Sequence, residues 1–334
     1  NQATIIGGRN IGDEYFGATD DVVFADLDVI AVGAVVPDLS KDFDRYWASL
    51  SAYPVDRVLA SKKPVPLAEA LPPLADDNAQ ANRYRKARDE SRLLDTLYEG
   101  KTDFQWSKVR MVSDDPRMGL GEAPDNKLMM PRLLQLLDTP RDSLDLVSSY
   151  FVPAETGTAA FTQMANDGVK VRILTNALEA TDVAPVHAGY ANRRRALLAS
   201  GTTLYEMRRQ PGTEPSDVGG PFGSSGSSLH AKTFAVDQKR MFVGSYNFDP
   251  RSEKLNTELG FVIDNPNLAK AVHGAFEEKI PLASYEVRLD DKGDLYWLGY
   301  NDGKQVRWDS EPNTGLLKRA AIRVLSWLPI DWLL

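Results

Sequence analysis

Apolar and polar positions divide the chain into two unequal parts. From Leu144 onward the order is regular. "LDLVSSYF", Leu144 to Phe151, reads as a strand, "GTAAFTQMANDG" as a helix stopped by Gly168, and "VKVRILTN", Val169 to Asn176, as the next strand. Ala188 to Ser200 is expected to be a helix ended by Gly201, followed by the strand "TTLYEM". After a Gly/Ser loop at Gly219 to Ser228 come three strand-like runs, "LHAKTFAVD", "RMFVGSYN" and "TELGFVID", and a helix at Asn267 to Lys279. Helices between strands, then consecutive strands, argue for a mixed-sheet α/β unit. Where helices intervene, the strands are expected to run parallel.

The first part is less regular. "ATII" reads as a short strand, and Val22 to Gly33 as a long buried strand that two aspartates interrupt. "VPDLSKDFDRYWASL" has helical periodicity, with Phe43, Tyr46 and Trp47 on one face. Pro64 to Leu74 is a Pro- and Ala-rich connection, and Asn78 to Tyr98 a charged, exposed helix. A weak repeat joins the two parts: "IIGGRNIGDEYFG" followed by "FADLDVIAVG" resembles "MFVGSYNFDPRS" followed by "NTELGFVIDN". Gly7 matches Gly244, Asn10 matches Asn247, and Asp26 aligns with Glu258 across a short insertion. On this alignment the first copy's counterpart of Asp237 would fall just before Asn1. The chain is therefore expected to begin inside the first of two related motifs, and its first residue is Asn, not Met.

Composition narrows the classes. At 334 residues, 43% apolar and 26% charged, the chain can bury a sizeable core as one large or two ordinary domains. A net charge of −8 leans away from general nucleic-acid binding. The chain has no cysteine, which excludes disulfides and thiolate metal sites. No apolar run is long enough for a spanning helix.

Candidate chemistry centres on one of only three histidines. His230 and Lys232, two apart on a strand, would face the same way. Asn247 closes the next strand and Glu258 opens a third. An imidazole can act as nucleophile, base or acid, and Glu258 is the carboxylate expected to orient it. Lys232 and Asn247 would offer positive charge and donors to phosphoryl oxygens. Asp237, at a strand end, is expected to hold a turn or pair with a cation.

The pattern H-x-K-x4-D-x6-G-S-x-N, carried by His230, Lys232, Asp237, Gly244, Ser245 and Asn247, resembles the signature of the phospholipase D superfamily. "GGRNIGDEYF", "SSYFVP", "VRILTNALEATDVAPVHAGYANRRRALLASG" and "LSWLPIDWLL" resemble most closely the bacterial cardiolipin synthases of the C type. The resemblance implies two similar α/β halves with mixed sheets around a pseudo-twofold axis, the first truncated. Residues 1–110 would hold the rest of the first half and connecting helices, and 111–334 the second half with an amphipathic tail. It implies one histidine from each half, a phosphohistidine intermediate, and no metal or other cofactor. The donor would be phosphatidylglycerol or a related phospholipid, the acceptor a phospholipid alcohol, and the product cardiolipin, made by an enzyme held peripherally at a bacterial inner membrane.

By position, His230, Lys232, Asp237, Asn247 and Glu258 would be catalytic. Ser245, Asn10 and Arg9 would bind phosphoryl oxygens, and Asp26 would orient the first-half histidine. The first-motif histidine and lysine are absent, so this chain alone is expected not to turn over. Rival readings are a hydrolase that uses water, on lipid or nucleic acid, and an inactive membrane scaffold. No nucleic acid is expected as partner, and nothing sets the oligomeric state.

Other segments stay open between two roles. His187 and Tyr190 share a helical face and are either headgroup contacts or a capping histidine with a packed tyrosine. Arg193, Arg194 and Arg195 are either a solvated face or a contact for anionic lipid. His273 is expected to be structural. From Thr314, Leu316, Leu317, Ala320, Ala321, Val324, Leu325 and Leu328 form one apolar face opposite Lys318, Arg319 and Arg323. Such a helix suits a membrane interface or a packed surface helix. Gly219 to Ser228 is either a flexible lid or a phosphate cradle.

Overall fold

A computed structural model describes residues 1–19, 23–59, 66, 69, 78–209 and 227–327. The readings placed on Pro64 to Leu74, on most of Gly219 to Ser228 and on residues 328–334 lie largely outside these.

The chain opens with β1 (Ala3–Ile6), β2 (Val23–Ala25) and β3 (Val29–Val32), then α1 (Val35–Trp47) and α2 (Val55–Val58). The helices α3 (Ala79–Glu90) and α4 (Leu93–Tyr98) lead to β4 (Lys108–Ser113) and α5 (Met129–Leu137). An alternating stretch follows: β5 (Ser143–Ser148), α6 (Ala154–Asn166), β6 (Lys170–Asn176), α7 (Ala184–Ala191), α8 (Arg194–Ala199) and β7 (Thr203–Met207). Next come β8 (Ser227–Leu229), β9 (Lys232–Val236), β10 (Arg240–Gly244), α9 (Pro250–Lys254), β11 (Leu259–Asp264), α10 (Pro266–Glu278) and α11 (Ile280–Ala283). β12 (Ser284–Leu289), β13 (Leu295–Asn301), β14 (Lys304–Trp308) and α12 (Leu316–Leu325) complete the described order.

Ten strands form one mixed sheet in the order β14-β13-β12-β7-β6-β5-β9-β10-β11-β4. Only β5, β6 and β7 pair in parallel, where helices cross between them. β5 and β6 are buried on both faces, so apolar residues dominate their centres, and the polar residues among them, such as Asp145 and Arg172, are paired with each other. Successive residues feed opposite cores. Leu146, Ile173, Phe234 and Phe242 pack on one face, Val147, Leu174, Ala235 and Val243 on the other. β4 lies wholly in this sheet, so the boundary expected at 110 falls inside a strand.

Two predicted strands are broken, and both breaks matter. Val22 to Gly33 divides at Asp26-Leu27-Asp28: β2 pairs in parallel with β8, and β3 pairs antiparallel with β1. "LHAKTFAVD" divides at His230 and Ala231, whose amides both donate to the carbonyl of Ala25, at 2.8 and 3.1 Å. The chain thus leaves the small β2–β8 sheet and enters the ten-stranded one at the histidine.

Two expected helices are likewise interrupted. Asn78 to Tyr98 is α3 plus α4, interrupted at Ser91 and Arg92, and Ala188 to Ser200 is the end of α7 plus α8. On α1 the buried side chains are Val35 and Val36, whereas Phe43 and Trp47 stack on each other in solvent. α12 presses Ile322 and Leu325 against Leu178 and Ala188, leaving Leu316, Leu317, Val324 and Trp327 exposed. No described helix is long and apolar enough to cross a membrane.

Candidate active site

The site forms where β8 hands over to β9. Asn176, at the end of β6, fixes the residue before the histidine: its Nδ2 donates to the Leu229 carbonyl and its Oδ1 accepts from the Leu229 amide, each at 2.9 Å. With the two bonds to the Ala25 carbonyl, this sets the backbone at His230. The ring is set by Asp26: Nδ1 donates to Asp26 Oδ2 at 2.7 Å. That bond fixes the tautomer and directs Nε2 away from the carboxylate. The Tyr15 hydroxyl lies 3.5 Å from Nε2 and accepts from Asn10 Nδ2 at 3.1 Å. The rings of Tyr15 and Phe24 flank the imidazole, with centroids 5.0 and 5.3 Å away.

Glu258 was expected to orient His230, and Asp26 to serve another histidine. In the structure Asp26, not Glu258, holds His230. Glu258 accepts from Ser245 Oγ through Oε2 and from Ser252 Oγ at 3.0 Å through Oε1. Its backbone is clasped by Asp114, whose Oδ2 accepts from the Glu258 amide at 2.9 Å. A brace contributed 204 positions upstream of the histidine is visible only once β2 has paired with β8.

Lys232 faces the same centre. Its ammonium donates to Ser149 Oγ at 3.0 Å and to the His230 carbonyl. Ser149 Oγ donates onward to Asn247 Oδ1 at 3.0 Å, linking the lysine to the asparagine. Burial pulls the Lys232 ammonium down to about 8, against the carboxylates of Asp26 and Glu258. Burial pushes Glu258 up to about 7, opposed by its serine hydrogen bonds. Gly8 permits the convergence of Lys232 and Asp26: a Cβ there would stand 2.9 Å from Asp26 Oδ1 and 2.9 Å from Lys232 Cδ.

Other candidates are held elsewhere. Asp237, named as catalytic, sits at the far end of β9, where its carboxylate accepts from the amides of Arg141, Asp142 and Ser143. It holds a turn, with its own backbone at φ 52°. Ser245 is occupied by Glu258. Arg9, expected to reach a phosphate, pairs with Asp28 at 2.6 Å.

His187 and Tyr190, named as substrate contacts, are 2% and 1% exposed. His187 Nε2 lies 2.9 Å from Arg194 Nη2 and 3.4 Å from Glu311 Oε1, and Tyr190 packs on Phe151. Both are structural, because Arg194, the middle of the basic run, is itself buried between Glu206 and Glu311. His273 hydrogen-bonds to Asp145 at 2.7 Å, beside the Arg172–Asp145 pair.

Sequence reasoning missed Tyr15, Phe24, Ser149, Asn176 and Asp114. Ser149 and Asn176 did carry a signal: each is a polar residue at the carboxyl end of a buried parallel strand, where open α/β sheets place their ligands. Tyr15 and Phe24 carried none.

A family model described as "Cardiolipin synthase, PLD-like domain" matches residues 133–280. The chain is 43% identical over 339 residues to cardiolipin synthase C of Escherichia coli (strain K12), covering 99% of this chain and 70% of that protein. It is 29% identical over 329 residues to an uncharacterized protein of Helicobacter pylori (strain ATCC 700392 / 26695), of which it covers 62%. The crystal structure of phosphatidylserine synthase from Haemophilus influenzae Rd KW20 superposes with a TM-score of 0.54 at 16% identity, over 85% of this chain and 61% of that one. The chain thus spans only part of the relatives it matches. On its identity to cardiolipin synthase C and the match of the domain model, the chain belongs to the phospholipase D superfamily of enzymes.

Proposed function

We propose that this site transfers a phosphatidyl group from phosphatidylglycerol to the alcohol of a second phospholipid, forming cardiolipin. The observation that carries the reading is the His230 ring, braced at Nδ1 by Asp26, with Nε2 turned toward Asn10 and Tyr15 beside a buried ammonium. That arrangement suits proton transfer or attack at phosphorus, with Lys232 and the two asparagines meeting the charge on the phosphoryl oxygens. The likeness to a protein named cardiolipin synthase C supports the lipid substrate.

A phosphohistidine route needs two imidazoles, one to attack and one to protonate the leaving alcohol. The chain's other histidines, His187 and His273, are tied into separate polar networks. We read Glu258 as the brace for the second imidazole, supplied from outside these 334 residues. Glu258 lines a cavity of about 610 Å³ between α1 and Thr257–Leu259, which leaves room for that group. In this reading the segment before β4 is the remainder of a first half, and the second half begins at β4 rather than at 111.

The exposed apolar side of α12, with Lys318, Arg319 and Arg323 and no acidic residue on the helix, suits peripheral contact with an anionic membrane.

The test is product analysis with labelled phosphatidylglycerol, with and without phosphatidylethanolamine, on the chain alone and on the chain with upstream residues restored. Cardiolipin from the restored protein only, abolished by His230→Ala and lowered about 10²–10⁴-fold by Asp26→Asn, is the expected result. Phosphatidic acid as sole product would make it a hydrolase. Sustained turnover by the 334 residues alone would overturn the two-imidazole scheme.

A further inference from the structure

A second cavity, of about 820 Å³, opens beside His230 between the segment carrying Tyr15 and Phe24 and the helices α3 and α4. Its size is that of a pocket for a small organic ligand. One wall is Phe16, Val23 and Phe24; the other is Tyr84, Leu93 and Leu94. Four of these stand well open to water: Phe16 is 43% exposed, Tyr84 41%, Leu93 52% and Leu94 62%. Apolar side chains left wet around a concave surface gain free energy when an apolar ligand covers them. Phe16 and Tyr84 meet edge to face at 6.1 Å, which ties the helices to the segment that carries the active-site tyrosine.

The cavity is continuous with the reacting centre. Tyr15, Phe24 and Asp26 line it, and the same three residues surround the His230 ring. The Tyr15 and Phe24 rings pack on each other at 5.0 Å and separate the imidazole from the apolar space by a single layer of side chains, so a group bonded to phosphorus at Nε2 reaches that space around their edge. The charged groups on the lining are Arg9, Asp26 and Arg88. Asp26 is engaged by the imidazole, Arg9 by Asp28 and Arg88 by Asp89, so the charges at the rim are already paired and the cavity's selectivity lies in its apolar walls.

We infer that this cavity seats the acyl-glycerol part of the phospholipid whose phosphate meets His230. The inference rests on the phosphodiester reading above and adds where the lipid portion lies. Val23, Leu93 and Leu94 offer aliphatic surface and no donor or acceptor to a base edge, which favours an acyl chain over a nucleotide.

The test needs binding, not turnover. Calorimetric titration of the chain would compare dihexanoyl-phosphatidylglycerol, below its micelle concentration, with its deacylated form, glycerophosphoglycerol, and with a dinucleotide. The acylated diester is expected to bind at least about tenfold tighter than the deacylated one, as burial of a few methylenes implies. Leu94→Asp and Ala87→Trp alter exposed cavity positions, so neither threatens the fold. Each should erase that preference and leave the deacylated diester within about twofold of its wild-type affinity, given additivity of separate contacts. Equal binding of the two diesters would overturn the cavity assignment and leave the phosphodiester reading standing. A preference that survives both variants, or a dinucleotide that binds more tightly than the acylated diester, would also overturn it. Failure of all three to bind would remove both readings.

Discussion

Replacing Lys232 by methionine is expected to stabilise the protein near neutral pH while removing the cation from the site. Lys232 is 4% exposed, and burial pulls its ammonium from 10.5 down to about 8, with Asp26 and Glu258 pulling the other way. At about 1.4 kcal/mol per pH unit, that gap makes the charged form about 3 kcal/mol less favourable in the folded protein than in the unfolded chain. Below about pH 8 both states carry the proton, and the folded protein bears the whole cost. Between about pH 8 and 10.5 the unfolded chain still holds a proton that the folded protein has released, so wild-type stability rises with pH across this window.

Methionine fills much of the same space without that proton. The variant's advantage over wild type should therefore be greatest near pH 7 and shrink by about 3 kcal/mol as pH approaches 10.5. The bonds to Ser149 Oγ and the His230 carbonyl are lost at every pH, so they shift the comparison without tilting it. Urea unfolding of both proteins at several pH values, with equal m-values, measures the tilt. A difference that stays level across the window would show a hydrated ammonium and sink the reasoning.

Glu258 gives the opposite slope. Burial raises its carboxyl from 4.5 to about 7, so between those values the folded protein keeps a proton that the unfolded chain loses, and stability falls as pH rises. Glu258→Gln should remove about 3 kcal/mol of that fall in unfolding titrations, and an unchanged slope would refute the assignment. On α12, Leu317→Glu with Arg323→Glu changes two exposed positions. It should weaken binding to anionic vesicles at least about tenfold in a sedimentation assay while leaving Tm in place. Unchanged binding removes the membrane role from this helix.

The central strands were legible because burial on both faces enriches their centres in apolar and β-branched residues, as Leu146 and Val147 of β5, Val171, Ile173 and Leu174 of β6, and Phe234 to Val236 of β9 show. His230, Lys232, Asn247 and Glu258 were legible as a spacing pattern, since each closes or opens a strand of one meander. The bracing of His230 was not. Which carboxylate reaches it depends on β2 pairing with β8 across about two hundred residues, and local sequence holds no record of that pairing. β12, β13 and β14 were missed for another reason. They form the outer edge of the sheet, and β13 and β14 are only partly buried, so aromatic and charged residues mix without the clean alternation that marks a half-buried strand. Of the apolar face read on α1, Phe43 and Trp47 stand in solvent and Tyr46 is half-buried with its hydroxyl on the Asp114 carbonyl, because an amphipathic pattern names a face and not what covers it.

The imidazole is held from three independent directions, and this is what lets a break in a strand carry chemistry. Asn176 fixes the Leu229 backbone from the ten-stranded sheet, the Ala25 carbonyl takes both amides from the small sheet, and Asp26 takes Nδ1. A residue between two strands would otherwise leave its amides unpaired at a buried corner, at a cost comparable to a lost hydrogen bond. Here the same bonds that satisfy those amides aim the ring. Among the described residues the remaining side of the ring meets the Tyr15 hydroxyl, at the outer limit of hydrogen bonding, and the rings of Tyr15 and Phe24. Nε2 thus has no close, strong partner among the described residues, and a phosphoryl group can displace the Tyr15 contact without disturbing any of the three clamps.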